Sequence, residues 1–454
     1  MKKTLLLVGL LTSAFGFKAS AQATDPYTLQ VYDDAVYYSM YEGTVDEPLP
    51  EGAQRNNNTS YGKKITEEQI ALMGNVLTLT VNASALCDDY DRIGNVNLAF
   101  VPKGATSYSY NDVDRIEIAR FITPFMNNLT QTPTSVPYVF EINNVAAILH
   151  DPVLSAQYDF WMELEIYGYQ GSSTQGGAAY DFPTICANRN DVYKGSLILD
   201  SEYDETLPTG DLVFEKLSFK YEMKDYTLAG TDVLDETVKT INFDLANAVT
   251  NGYFYVVMSN HGSNAGGEEY KNRWHYVYLD ETQVFSFKPG KNCEQYRQYN
   301  TMGNGVYGSS VQGNSYWLTR SWCPGGKIDT REIELGNLAA GTHSYKMDVP
   351  SATFASDQGY FPMSVYFQGY AATAGVDTVT KSTFTVFPNP ATDVVNLKSN
   401  GEPVKSFEVV NTLGQTVLTG NGETINMSQL QAGMYMVKAQ FSNGQVATQK
   451  VIRK

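Results

Sequence analysis

The 454-residue sequence is poor in the side chains that build metal centres. It holds four histidines, a small stock for a copper or zinc site resting on several imidazoles. Its four cysteines, Cys87, Cys186, Cys293 and Cys323, form no Cys-x-x-Cys pair and no Cys/His cluster, which argues against zinc. No metal and no cofactor is expected. A Gly-x-Ser-x-Gly elbow is missing too, so nothing points to a serine nucleophile. Positive charge is scarce: 32 Lys and Arg face 49 Asp and Glu, a formal net charge of −17. Such a field repels a phosphate backbone and argues against nucleic acid and acidic membranes as partners. Charged residues make up only 18% of the chain, so the acidity does not imply disorder. After the first residues no apolar run is long enough to cross a bilayer.

What is present begins with an export signal. Residues 1–21 have a basic start (Lys2, Lys3), an apolar run from Leu5 to Phe17, and small residues at Ala19 and Ala21, with cleavage expected before Gln22. Losing Lys2, Lys3 and Lys18 takes the formal charge to −20. In an exported chain four cysteines read as two disulfides, and three pairings are open. Tyrosine is abundant, 32 residues. Its flat ring and hydroxyl suit sugar binding, and a Tyr-rich β-sandwich has the same composition.

Strand patterns dominate. "NVLTLTVNAS" (75–84), "NVNLAFV" (95–101), "RIEIARFI" (115–122), "YDFWMELEIYG" (158–168), "LVFEKLSFKYEM" (212–223), "GYFYVVMSN" (252–260) and "YFPMSVYFQGY" (360–370) alternate or run β-rich between Gly, Pro, Asn and Asp breakers. The expected fold is all-β, built of sandwiches. Patterning stops and restarts near 200–210, which divides the exported part into 22–200 and 201–372, and a third segment follows a linker at 373–383.

Three places carry candidate chemistry. "CDDYDRIGNVNLAF" (87–100) sets Asp88, Asp89 and Asp91 beside Arg92 at the mouth of a strand. It is either an acidic turn with an ordinary ion pair or a group of carboxylates whose mutual repulsion raises a pKa into the working range of an acid or base. In "FWMELEIYG", alternation puts Phe160, Met162, Leu164 and Ile166 on the core face and Trp161, Glu163, Glu165 and Tyr167 on the other. That second face is either an ordinary exposed sheet surface or a stripe of acids and rings fit for sugar. In "NHGSNAGGEEYKNRWHYVYLD" (260–280), Glu268 and Glu269 follow a glycine pair that lets backbone approach a ligand closely.

Taken in order with "RIEIARFITPF" and "LTRSWCPGGKIDTREIEL" (318–335), these segments resemble the peptide-N-glycosidase F family of secreted bacterial amidases that remove N-glycans from glycoproteins. The likeness spans roughly residues 30–370. It implies two adjacent jelly-roll β-sandwiches with the site at their interface. It also implies Asp91 as the essential acid, supported by Glu165 and Glu269, with Arg92, Tyr90, Trp161, Tyr167, Glu268, Arg320 and Trp322 around the substrate. Tyr90, Tyr167 and Tyr270 stand where the family has tryptophan, and Gly267 and Lys271 replace a cysteine pair around Glu269. The resemblance implies a Cys293–Cys323 disulfide and leaves Cys186 as a distant partner for Cys87. The implied partner is an N-linked glycan on a glycoprotein or glycopeptide, and the implied state is a monomer. A non-catalytic glycan binder and an endoglycosidase are the competing expectations. The last seventy or so residues, with "FPNPATD" and "LQAGMYMVK", resemble the C-terminal sorting domain of the type IX secretion system of Bacteroidetes, placing a small β-sandwich export address at 384–454 and the secretion machinery among the partners. The expected destination is the medium or the cell surface.

Overall fold

Period-two alternation decides which side of each strand leaves water, and in this protein most strands find cover on that side. The computed structural model describes residues 23–126, 132–171, 177–263, 267–302, 320–372, 383–400, 402–412, 414–442, 444 and 446–454. The export signal, residues 1–21, lies outside the described residues. Two compact units divide the chain, 1–372 and 373–454.

The first unit opens with strands β1 (Tyr27–Tyr38), β2 (Ala53–Asn57), β3 (Ser60–Lys64), β4 (Val76–Ala85), β5 (Ile93–Pro102), β6 (Asp114–Ile122), β7 (Val136–Glu141), β8 (Tyr158–Ile166) and β9 (Asp191–Glu202). They form one sheet in the order β1-β9-β4-β7 and a second in the order β6-β5-β8-β3-β2. First and last strands lie side by side, the jelly-roll arrangement. The chain then builds a second jelly roll from β10 (Leu212–Met223), β11 (Val238–Leu245), β12 (Val249–Met258), β13 (His275–Leu279), β14 (Thr282–Phe287), β15 (Lys327–Ile328), β16 (Arg331–Leu338), β17 (Gly341–Asp348) and β18 (Phe361–Ala371). Its sheets run β10-β18-β12-β16 and β11-β17-β13-β14. The short β15 leaves its own sandwich and pairs with β6, tying the two together.

Each sandwich has its own apolar core, one around Leu79, Val81, Leu98, Leu164 and Leu199, the other around Phe254, Val256, Met347, Val365 and Phe367. The tyrosines mostly serve packing. Tyr32, Tyr37, Tyr61, Tyr138 and Tyr193 are fully buried. Their hydroxyls meet backbone carbonyls, as when Tyr32 donates to Tyr61 and Met162 oxygens at 2.9 Å.

The interface between the sandwiches is polar. Cross-strand neighbours Asn97 and Glu163, and Asn95 and Glu165, put amides and acids on the outer face of β5 and β8. On β6 the register slips by one residue between the partners of Val96 and Asn97, so Glu117 and Arg120 meet as a fully buried ion pair, 2.6 Å apart. Arg120 reaches across to donate to Ser259 Oγ at 2.8 Å and the Pro362 carbonyl at 2.7 Å. Glu163 is gripped by Arg115 at 3.0 Å and by the Tyr108 hydroxyl at 2.6 Å. Glu165 pairs with Lys220 of β10.

The second unit holds β19 (Thr383–Phe387), β20 (Val394–Asn400), β21 (Val404–Val410), β22 (Thr416–Asn421), β23 (Thr424–Asn426), β24 (Gly433–Phe441) and β25 (Val446–Arg453). Sheets β19-β20-β23 and β22-β21-β24-β25 close on a small core of Phe384, Val395, Leu397, Val437 and Phe441.

Candidate active site

At one end of the sandwich interface a cavity of about 860 Å³ opens to solvent. The first sandwich lines it with Asp89, Tyr90, Asp91, Arg92, Phe125 and Tyr167, the second with His261, Glu269, Tyr270, Arg320, Trp322 and Tyr360.

The acidic opening before β5 divides its labour. Asp88 is buried and holds the turn: its carboxylate accepts Tyr90 N–H at 3.0 Å, Tyr169 N–H at 2.6 Å and Arg92 Nε–H at 2.7 Å. Thr123 Oγ1 accepts Arg92 N–H at 2.7 Å, and Tyr193 donates its hydroxyl to the Tyr90 carbonyl at 2.7 Å. The Cys87–Cys186 disulfide anchors the start of the segment. Backbone on both sides of Asp91 is therefore fixed, and its side chain faces the cavity. No hydrogen bond joins the Asp91 carboxyl to another described residue. Burial, then the charge of Glu269, pushes it up to about 7, with Arg320 and Arg92 pulling the other way.

The 260–280 segment repeats the device. Glu268 is fully buried and holds its loop, paired with Arg273 at 2.9 Å and accepting Thr353 N–H at 3.0 Å. Its neighbour Glu269 is thereby left toward the cavity, 3.3 Å from Arg320 Nη2. Burial raises the Glu269 carboxyl above its ordinary range, and Arg320 opposes the rise. Ser321 N–H donates to the Glu269 carbonyl at 3.3 Å. Trp322 Nε1–H donates to the Asn260 carbonyl at 2.8 Å. The Cys293–Cys323 disulfide pins the next residue. Arg320, almost wholly buried, lies against the Tyr270 and Trp322 rings at 5.0 and 4.8 Å, and its Nε has no acceptor among the described residues. An arginine set on two rings beside one carboxylate is a rigid donor aimed into a water-poor wall.

Several expected site residues lie elsewhere. Trp161 is buried at 4% exposure against Tyr108, Ala99 and Val101, away from the cavity. Glu268 points into its own loop. Glu165, 2% exposed, does not line the cavity either, and its carboxylate holds Lys220. The reading of β8 as an open stripe for sugar is corrected accordingly. Alternation placed Trp161, Glu163, Glu165 and Tyr167 on one face, but Tyr108, Val113 and Arg115 of the same sandwich cover Trp161 and Glu163, Lys220 of the second sandwich covers Glu165, and only Tyr167 reaches the cavity. Other wall residues are ones to which the resemblance gave no role, although Asp89 belongs to the acidic cluster read from the sequence. His261, pushed down to about 3 by burial and by Arg120, is a neutral imidazole bonded to Ser259 Oγ at 2.7 Å. Asp89 is pushed up to about 6 by burial, then by the charges of Asp88 and Asp181. No sequence signal marks Asp181, because the pairing bridges ninety residues of chain.

Two jelly rolls side by side, with acids from both and an aromatic-backed arginine at their seam, define a class of secreted two-sandwich proteins. The family models agree with that architecture. Residues 28–170 match the model for the N-terminal part of peptide-N-glycosidase F and residues 231–368 the model for its C-terminal part, and the chain belongs to this family. Residues 385–454 match the secretion system C-terminal sorting domain, which addresses the protein for type IX export to the cell surface or the medium. No helix among the described residues is long and apolar enough to cross a membrane. Among solved structures, PNGF-II is similar in two crystal forms, at 19% and 20% identity with TM-scores of 0.55 and 0.54. These matches cover 77% and 76% of this chain and 66%, just under two thirds, of theirs. PNGase F, described as a glycosylasparaginase from Flavobacterium meningosepticum, matches at 15% identity over 76% of this chain and 96% of its own, with a TM-score of 0.47. No curated protein matches the chain.

Proposed function

We propose that this protein is an exported amidase that hydrolyses the bond between an N-glycan and its asparagine, with Asp91 moving the protons. The observation that carries the reading is the meeting of Asp91 with Glu269 and Arg320 across one cavity, from opposite sandwiches. An amide resists water because its carbonyl is a weak electrophile and its nitrogen a poor leaving group. A carboxyl poised near 7 serves both needs at neutral pH, as base while ionised and as acid once it has taken a proton. Asp91 accepts a proton as water oxygen bonds to the amide carbon. The same proton then goes to the departing nitrogen as the C–N bond breaks. Asparagine becomes aspartate and the glycan leaves as its glycosylamine. Arg320, steadied by Glu269, faces the developing oxyanion, a role commonly worth about 2.7–4 kcal/mol per donor. Tyr90, Tyr167 and Tyr270 offer ring surface to the first sugars, while the buried Trp322 backs Arg320. Glu165 acts on Tyr167, whose hydroxyl pKa is raised by burial and then by the Glu165 charge, and Lys220 keeps that buried charge paired. Incubation with a defined N-glycopeptide in heavy-oxygen water tests this. The expected product is a peptide with aspartate carrying one solvent oxygen. A sugar stub left on asparagine, or binding without any cleavage, overturns the reading.

A further inference from the structure

A second cavity, of about 430 Å³, lies in the first unit between helix Asn143–Leu149, the connection around residues 207–210 and the β10-β18-β12-β16 sheet. It shares no lining residue with the Asp91 cavity. Its volume falls within the usual small-ligand range of about 300–1,000 Å³. The sheet supplies its floor. Cross-strand pairing puts Tyr253 beside Gln368 and Tyr255 beside Tyr366, and the latter two rings stack at 5.0 Å. Tyr253 is only partly buried, so its ring remains free on one side.

Of the polar groups around these rings, Glu141, Asn251 and Glu332 are exposed at the rim and Gln368 is buried. Glu141 and Glu332 both line the cavity, and neither has an ion pair or side-chain hydrogen bond to another described residue. Asn251 likewise has no side-chain hydrogen bond there. Gln368 is 5% exposed; its Nε2 donates to the Asn144 carbonyl at 3.1 Å, but its Oε1 has no donor among the described residues. A buried acceptor of that kind is normally satisfied by water or by a ligand hydroxyl. The lining contains no Lys and no Arg, so a phosphate, sulfate or carboxylate-bearing ligand would meet only like charge. One buried acceptor without a donor, two exposed carboxylates at the rim, a partly exposed ring and no Lys or Arg together describe a site for uncharged sugar.

We infer that this groove is a second carbohydrate site, which takes a neutral oligosaccharide stacked on Tyr253 with its hydroxyls donating to Glu141 and Glu332. The inference does not depend on amide hydrolysis. Calorimetric titration of the full chain with a free mannose-rich oligosaccharide tests it, with a sialylated oligosaccharide as the charged counterpart. One equivalent of the neutral oligosaccharide is expected in the groove, whether or not a second binds in the Asp91 cavity. Tyr253→Ala or Glu332→Gln should weaken the groove equivalent at least tenfold, Tyr253→Phe should restore it, and cleavage of a short glycopeptide should be unchanged throughout. The sialylated oligosaccharide should bind the groove at least tenfold more weakly. No binding to the unmodified protein, binding that is indifferent to Tyr253→Ala and Glu332→Gln, or equal binding of the sialylated form overturns the proposal. Failure of the unmodified protein to cleave glycopeptide, with the groove equivalent intact, would count against the amidase reading alone.

Discussion

Asp88, Asp89 and Asp91 stand within four positions of one another and meet three environments. Asp88 is spent on backbone N–H groups and Arg92, Asp89 feels the charges of Asp88 and Asp181, and Asp91 faces Glu269 across open space. Replacing Asp91 by Asn should therefore lower glycan release by about 10²–10⁴-fold, the usual worth of a positioned acid or base, measured on a fluorescent glycopeptide. The same change should leave the fold intact and stabilise it above neutrality. An aspartate raised from 3.8 to about 7 carries a charge in the folded state that folding disfavours. Below the lower value both states are protonated and nothing is gained. Above the higher value the native protein bears the full burden. The melting temperature of D91N should accordingly exceed the parent's at pH 8 and match it at pH 3.5. Neighbouring charges set the activity profile. Arg320 lowers the Asp91 pKa, so Arg320→Gln should move the ascending limb of kcat/KM to higher pH, and Glu269→Gln should move it to lower pH, each at reduced rate. Limbs that stay in place would show that another group titrates.

At the scale of strands and loops, the informative feature is the outer face of β5, β6 and β8. Asn95, Asn97, Glu117, Glu163 and Glu165 alternate with core residues as they would on a solvated sheet, so sequence periodicity alone reads that face as open. Tyr108 and Arg115 of the same sandwich cover Glu163, while the cover for Glu117 and Glu165 comes from far along the chain. Lys220 sits where β10 slips register against β18, with a positive φ of 48°, and this irregularity aims it at Glu165. Lys220→Met should leave Glu165 buried without a counter-charge and cost about 3–5 kcal/mol by denaturant unfolding, whereas replacing both by apolar residues should cost far less. The loop staples act on the site as well. Opening Cys87–Cys186 by paired Ser substitution removes a constraint 99 residues apart and should cost about 2–5 kcal/mol. Because Cys87 precedes the Asp88 anchor, glycopeptide KM should rise as well.

For the whole molecule, contacts divide the chain at residue 372, and the second unit has a core of its own. A chain ending at Ala372 should hydrolyse glycopeptide at the parental rate in vitro and fail to leave the cell, which fractionation of culture medium would show. If loss of residues 373–454 also abolished hydrolysis by purified protein, the sorting segment would have a part in the site. The strong negative charge, spread over the chain, keeps anionic polymers away without choosing a substrate.

Export, the all-β class and the sorting segment were determined by local sequence, because a signal peptide, period-two alternation and a short turn-rich repeat of strands are written in adjacent residues. The acids at 88–91 and 268–269 were legible as candidates for the same reason: they sit together in short motifs. Which of each cluster faces the cavity was decided only in three dimensions, since anchoring Asp88 needs Tyr169 and anchoring Glu268 needs Thr353. The burial of Trp161, Glu163 and Glu165 was likewise beyond sequence. Alternation states which side chains share a face, while the free energy of that face depends on whether water, a loop of the same sandwich or the second sandwich lies against it.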